Sequence, residues 1–302
     1  THESMTSLWL HELTRVFHDR LINDGDRAWY YTTAADLIFR NFKVGGSDGW
    51  SKEELFPTSD DDINDIISSE AAEVFQDGTP VLASKKKRKP MLWIDFLKAF
   101  VPPEERLYEE VRSVQALIDV LETYQKEYNL ISPRQSNLVF FTDAVKHLVR
   151  ICRVLRQDRG SIMLIGVGGS GRSSLARLAT FICGYRLETP EMLNNYDHFN
   201  FLDDLKKVVL EAGLKGKHTV FMLADTQVTD EKILEDINTI LTSGEIPNLF
   251  DDDEDNDNLV KMRGVAASMG LNDTPEICIE LFVSRVRTFF HLILCMSPVG
   301  YD

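Results

Sequence analysis

Gly166-Val167-Gly168-Gly169-Ser170-Gly171-Arg172-Ser173 is the stretch on which the fold turns. Glycine at 166, 168, 169 and 171 lets the backbone curl through conformations that a Cβ disfavours. Successive N–H groups of such a loop converge into a nest for anionic oxygens. The apolar run Ser161 to Ile165 before it reads as a short buried strand, and Ser173 to Ile182 after it as a helix. The N-terminus of that helix adds its dipole and free N–H groups to the same concavity. The spacing fits G-x-x-x-x-G-K-[ST], with Arg172 where lysine is usual and Ser173 where a hydroxyl can ligate Mg²⁺. Arginine keeps the positive charge and can fork onto phosphate oxygens, but it is longer and planar where lysine is a compact point charge. Ser174 follows within the first helical turn, so residues 166–174 together form the expected phosphate site.

The same residues contain G-x-G-x-x-G at Gly166, Gly168 and Gly171, and Glu188 lies at the end of the next expected strand. That is where a dinucleotide-binding fold wants a carboxylate for the ribose. Two features favour the nucleoside-phosphate reading. Arg172 and Ser173 have no special task in a dinucleotide fold. In addition, Val220-Phe221-Met222-Leu223-Ala224-Asp225 reads as a strand ending in aspartate 52 residues after Ser173, suited to the metal side of a bound nucleotide.

Outside the loop, the chain's 302 residues allow one large domain or two ordinary ones, and 43% apolar residues supply a sizeable core. A net charge of −15 argues against the chain as a whole gripping a nucleic-acid backbone. Much of the excess is local, at Asp251 to Asp257, which reads as a solvated acidic loop. Cys152, Cys183, Cys278 and Cys295 form no CxxC pair, so zinc and a disulfide framework lack support, and three lie in apolar runs where a buried reduced thiol is expected. No stretch reads as a signal peptide or reaches the length of a membrane span. The expectation is a soluble protein of a reducing compartment. The sequence closing on Cys295-Met-Ser-Pro-Val-Gly-Tyr-Asp302 suggests a piece of a longer chain.

Helical spacing runs over residues 6–43 through Leu10, Leu13, Phe17 and Leu21, then Leu37, Ile38 and Phe42 beyond a break at Asn23-Asp24-Gly25. Residues 44–90 read as a mobile, irregular insertion with a short helix inside, ending in Lys85-Lys86-Lys87-Arg88-Lys89, a basic run that suits a solvated loop better than a nuclear address or a patch for an acidic partner. Helical spacing returns from Leu107 to Tyr128 and from Phe140 to Leu155, closed by Asp158-Arg159-Gly160. Beyond the glycine loop, short runs at Tyr185–Glu188, Thr219–Ala224 and His291–Met296 alternate with helices at Leu202–Ala212, Lys232–Leu241 and Ile277–Thr288. Alternation of this kind predicts an α/β fold, a parallel sheet flanked by helices.

Asp225 is followed by Thr226. ATPases of the AAA+ kind place Asp-Glu at the end of this strand, the glutamate activating the attacking water. Threonine is no general base near neutral pH, and losing a positioned base typically costs about 10² to 10⁴ in rate. Gln227 and Glu231 are the nearby groups able to orient a water, although both suit the polar start of a helix. Ser297, just after the run ending at Met296, stands where an AAA+ strand presents a polar sensor to the terminal phosphate.

These residues together resemble a dynein heavy chain, most closely the axonemal branch. Gly160 to Leu175 looks like the start of that family's fourth AAA+ module. So do Leu234-Glu235-Asp236-Ile237-Asn238 and Ser243-Gly244-Glu245-Ile246-Pro247-Asn248-Leu249-Phe250. Ile151-Cys152-Arg153-Val154-Leu155-Arg156 and Met296-Ser297-Pro298 also fit. Upstream, Leu8-Trp9-Leu10-His11-Glu12 with Arg15 to Leu21, and Trp93-Ile94-Asp95-Phe96-Leu97, resemble the small subdomain that closes the third module. The resemblance implies a helical small-subdomain remnant over 1–103, with the insertion at 44–90, and an AAA+ P-loop large subdomain over 104–302 that stops just after the sensor strand. It implies ATP or ADP with Mg²⁺ as cofactors, Ser173 and Asp225 on the metal side, adenine near Leu138 and Val139, and Ser297 toward the phosphates. Arg172 and Thr226 depart from the active pattern much as axonemal members do, which implies a module that binds nucleotide with little hydrolysis. Two rivals stand beside it: an active P-loop ATPase with a non-standard base, and a dinucleotide-binding oxidoreductase. The implied partners are the other AAA+ modules of the same heavy chain and, through that chain, microtubules and the light and intermediate chains. Nucleic acid and membrane are not among them. The implied place is the cytoplasm and cytoskeleton, in the axoneme of a cilium or flagellum.

Overall fold

The computed structural model describes residues 2–42, 92–99, 101–111, 113–190, 196–228 and 230–298. The expected mobile insertion at 44–90 lies outside the described residues. By internal contacts the chain divides into two compact units, residues 1–123 with 140–143 and residues 124–139 with 144–302. Among the described residues no helix is long and apolar enough to cross a membrane.

In the first unit, helix α1 (His2–Val16) and helix α2 (Asp24–Phe42) are joined by a 3₁₀ turn, His18–Arg20. The expected break at Asn23-Asp24-Gly25 sits slightly earlier: Asn23 precedes α2 and its side chain accepts from the Asp26 N–H at 2.7 Å. Leu10 buries against Ala34, Ala35 and Ile38, and His18 packs on Tyr31 with ring centroids 4.6 Å apart. Strands β1 (Trp93–Ile94) and β2 (Glu109–Glu110) pair antiparallel. The helix expected from Leu107 starts only at Val114, because residues 109–111 are drawn into pairing with 92–94, the Val111 N–H reaching the Leu92 carbonyl at 2.8 Å. Helix α3 (Val114–Ile131) therefore begins seven residues later than its apolar spacing suggests.

The second unit is the α/β body. Four strands, β3 (Ile162–Ile165), β4 (Arg186–Glu188), β5 (Thr219–Ala224) and β6 (Phe290–Met296), form a parallel sheet in the order β3-β6-β5-β4. The two central strands, β5 and β6, are almost wholly buried, as near-continuous apolar runs require when helices cover both faces. Around them lie helix α4 (Thr142–Leu155), of which residues 144–155 belong to this unit, and helices α5 (Arg172–Cys183), α6 (His198–Gly213), α7 (Glu231–Ser243), α8 (Asp252–Ser268) and α9 (Pro275–Phe289). Phe201, Leu205, Val208, Phe221, Ile233 and Leu292 belong to one core cluster, each burial of this size being worth about 1.5–3 kcal/mol. All four cysteines are buried, and none forms a disulfide.

The chain's corners are set by a few residues. A Cβ on Gly160 would lie 1.8 Å from the Val154 carbonyl oxygen, so only glycine fits where α4 turns into β3. Arg285 donates to the Gly213 and Leu214 carbonyls at 2.6 and 3.2 Å, satisfying the C-terminal end of α6. The expected acidic loop at 251–257 is instead the start of α8. Asp251 accepts from the Glu254 N–H at 2.8 Å while Glu254 accepts from the Asp251 N–H at 3.0 Å, a reciprocal capping box. Negative charge at a helix N-terminus is stabilised by the helix dipole, and Lys206 pairs with Glu254 at 2.8 Å, so the acidic run is compatible with order.

At the N-terminal ends of the central strands, Tyr185, His218 and His291 stack. Tyr185 lies 4.3 Å from His218 and 5.3 Å from His291, centroid to centroid. His291 is fully buried, its Nδ1 2.9 Å from the Gly160 carbonyl and its Nε2 2.9 Å from His218 Nδ1. Because a carbonyl only accepts, His291 carries its proton on Nδ1 and takes one from His218 on Nε2. Burial pushes His291 down to about 4 and lowers His218 as well.

Candidate functional site

Topology brings the sequence-predicted groups to one end of the sheet. β6 lies between β3 and β5, so the turn leaving β3, the end of β5 and the end of β6 are neighbours at the C-terminal edge. In open parallel sheets, ligands bind in this crevice. The Gly166 N–H donates to the Met296 carbonyl at 3.1 Å, carrying the β3–β6 ladder one step into the loop.

Gly169 and Gly171 hold φ of +80° and +81°, and Gly171 caps α5. A Cβ on Gly166 would sit 3.1 Å from Ser170 Oγ, and one on Gly168 would meet nothing within 4 Å. The loop is therefore tight toward the protein at 166 and open at 168, as a cradle for a small anion needs. Val167 is exposed, as are Gly168, Gly169 and Ser170, while Arg172, Ser173 and Ser174 are half-buried. Gln125 and Asn129 both donate to the Ser136 carbonyl, at 2.7 and 2.9 Å, folding segment 132–139 back along α3. Leu138 thereby comes beside the loop, its Cδ2 3.5 Å from where a Gly171 Cβ would stand, and Val139 is exposed.

Asp225 and Thr226 open a one-turn 3₁₀ helix directly after β5. The Asp225 carboxylate accepts from its neighbour's N–H (Thr226, 2.9 Å) on Oδ1 and from the Ser297 N–H at 3.0 Å on Oδ2. Its pKa is lowered, first by the Ser297 side chain, then by the two backbone donors and the Arg172 charge. The Arg172 guanidinium donates to the Met296 carbonyl. Burial raises the pKa of the Cys295 thiol, with the Ser173 side chain acting the other way. An ionised carboxylate and a hydroxyl are hard oxygen donors of the kind Mg²⁺ takes alongside phosphate oxygens, so the residues present fit a magnesium nucleotide.

Of the two candidates for orienting a water, Gln227 is buried and fully engaged: its Oε1 accepts from the Ala224 N–H at 2.7 Å and its Nε2 donates to the Pro190 carbonyl at 2.9 Å. Glu231 is the exposed first residue of α7. Glu188, the ribose ligand of the dinucleotide alternative, accepts from Arg186 Nε at 2.6 Å. More decisively, β4 is three strand positions from β3, about 14 Å at ordinary strand spacing. A dinucleotide fold pairs those two strands directly, so its geometry is not the one here.

Sequence reasoning missed the backbone of β6. The Met296 carbonyl and the Ser297 N–H are the atoms that bind Arg172 and Asp225, and a residue pattern carries no mark of which peptide group will be used.

A glycine loop between strand and helix, facing an aspartate-ended strand across a sheet of this order, defines a P-loop α/β module. The family model of the P-loop containing dynein motor region D4 matches residues 136–302. The chain is 36% identical over 294 residues to human (Homo sapiens) dynein axonemal heavy chain 6, covering 97% of this chain and 6% of that one. It is 35% identical over 300 residues to human dynein axonemal heavy chain 3, covering 99% and 7%. Mouse (Mus musculus) dynein axonemal heavy chain 1 is 35% identical over 293 residues, covering 97% and 6%. The chain thus spans 6–7% of the length of these relatives. It belongs to the dynein heavy chain family, and residues 136–302 are part of its D4 AAA+ module. Modules of this family bind nucleotide, generally with Mg²⁺.

Proposed function

We propose that this module holds ATP or ADP with Mg²⁺ and turns it over slowly or not at all, as a structural or regulatory site in the ring of a ciliary motor. The observation that carries the reading is the Asp225-Thr226 pair at the end of β5, facing the glycine loop across the end of β6. The backbone N–H groups of residues 166–174 cradle the phosphates, Ser173 and Asp225 face the metal, Ser297 lies toward the terminal phosphate, and Leu138 with Val139 borders the adenine. When bound, the ion offsets phosphate charge. The protein's own part is to keep Asp225 ionised and to present the loop N–H groups.

On this reading residues 1–103 close the third module's small subdomain and 104–302 form most of the fourth module's large subdomain. The whole heavy chain would act on microtubules with its light and intermediate chains, in the axoneme, with the driving hydrolysis at another module. Calorimetry of ADP and ATP with and without Mg²⁺ tests the binding. Tight binding that Asp225→Ala weakens only when Mg²⁺ is present supports it; no binding to the folded chain under either condition refutes it.

A further inference from the structure

Met296 C=O and Ser297 N–H belong to one peptide group, and in a trans peptide they point in opposite directions. The Arg172 guanidinium and the Gly166 N–H (3.1 Å) hold the oxygen on the β3 side. The Asp225 carboxylate holds the N–H on the β5 side, at 3.0 Å. The cation of the loop and the carboxylate of the metal side thus grip the two edges of a single peptide.

We propose that Arg172 is a positioning residue, which fixes the 296–297 peptide and through it the Asp225 carboxylate, rather than a ligand of the nucleotide phosphates. Phosphate recognition then falls to the loop N–H groups and the start of α5, while Arg172 governs how well the metal side is preorganised. The guanidinium suits this work: its several donors in a rigid fork reach a backbone oxygen while the charge stays within influence of Asp225. A lysine ammonium is shorter and brings one compact charge, so at this position it would leave the Met296 oxygen to the Gly166 N–H alone. The proposal rests on the magnesium-nucleotide reading for one of its two tests and is independent of it for the other.

The independent test is amide hydrogen exchange without nucleotide in wild type, Arg172→Met and Arg172→Lys. The Ser297 amide is expected to exchange about tenfold faster in both variants, with Ile293 and Leu294 in mid-strand unchanged, as local rather than global opening. An unchanged Ser297 rate in a folded variant overturns the proposal. The second test is the ratio of ADP affinities with Mg²⁺ and with EDTA. Arg172→Met is expected to leave affinity in EDTA within about twofold and to weaken Mg²⁺-ADP about three- to tenfold, a split that a general loss of stability would not produce. Arg172→Lys is expected to lower the same ratio, and it decides the matter should the methionine variant fail to fold. A loss of about tenfold or more in EDTA for Arg172→Met, with the ratio unchanged, makes Arg172 a phosphate ligand and the proposal wrong. If wild type binds no ADP at all, the functional reading falls, and the exchange result still decides the role of Arg172.

Discussion

Substituting His291 by asparagine should flatten the acid side of the stability curve. In the folded chain His291 is neutral, held near 4 by burial, against an ordinary value of 6.5. The groups around it are His218, which lowers it, the Gly160 carbonyl and Asp158, which raise it, and Arg156 acting on His218. None outweighs the loss of hydration. The unfolded chain takes up a proton here as pH falls through 6.5, whereas the folded chain does not until about 4. More protons bound in the unfolded state means stability that rises with pH across that window and is lost as pH falls. For a shift of this size, the loss between about pH 7.5 and about pH 5 is about 2 kcal/mol from this one side chain. Asparagine can place an amide N–H near Nδ1 and keep the bond to Gly160 without titrating. Urea unfolding at both pH values should show wild type losing about 2 kcal/mol more than His291→Asn, whatever the variant's baseline. The lowered carboxylates, Asp225 and Glu211 among them, also lose stability in acid, but they are common to both proteins. Equal losses, within about 0.5 kcal/mol, would mean that His291 is already protonated in the fold or is hydrated there.

In a complete heavy chain with the other sites disabled, Thr226→Glu should leave ADP affinity similar and raise hydrolysis at this site, by about 10² or more if a base is all that is missing; turnover of about 1 s⁻¹ or faster before substitution would refute the missing-base reading. Gly160→Ala forces a Cβ to 1.8 Å from a backbone oxygen and should destabilise the chain by several kcal/mol, on the order of the largest single-site effects, as read by thermal unfolding. Asp251→Ala removes the cap of α8 and should cost about 1 kcal/mol in urea unfolding, whereas no effect would restore the picture of an acidic loop.

The strand that carries Asp225 was legible to the residue, because a central parallel strand reads as an unbroken apolar run, Thr219 to Ala224, closed by a charge. The glycine loop was legible for a similar reason: its chemistry constrains residue type at 166, 169 and 171, where the backbone turns tightly or takes positive φ. Two elements misled. Val111 continued the helical spacing of Val114 and Leu117 although it hydrogen-bonds to Leu92, since a pair of strands only two residues long shows no alternation to read. The acidic run at 251–257 looked like a loop because its net charge masked the Asp251/Glu254 box, a signal present in the sequence at the correct spacing. Strand order was beyond reach. That β6, last in the chain, separates β3 from β5 is a tertiary fact, and it decides between a dinucleotide crevice and this one.

On the proposed reading, the placement of β6 also bears on how a site can keep a ligand while giving up turnover. Hydrolysis asks for a group that takes a proton from water, and the hydroxyl of Thr226 has no such basicity. Gln227, next in line, spends both ends of its amide on Ala224 and Pro190. Asp225, by contrast, is kept ionised by donors from its own turn and from the end of β6, and Arg172 closes the far side of the same peptide. Polar groups at the strand ends are thus committed to holding β3, β5 and β6 in register around the loop. A base added at 226 would arrive in a frame already organised for binding. On the proposed reading the frame and the chemistry are separable, and substitutions at 226 and at 172 should act on different measurements: the first on turnover at constant affinity, the second on the magnesium dependence of affinity.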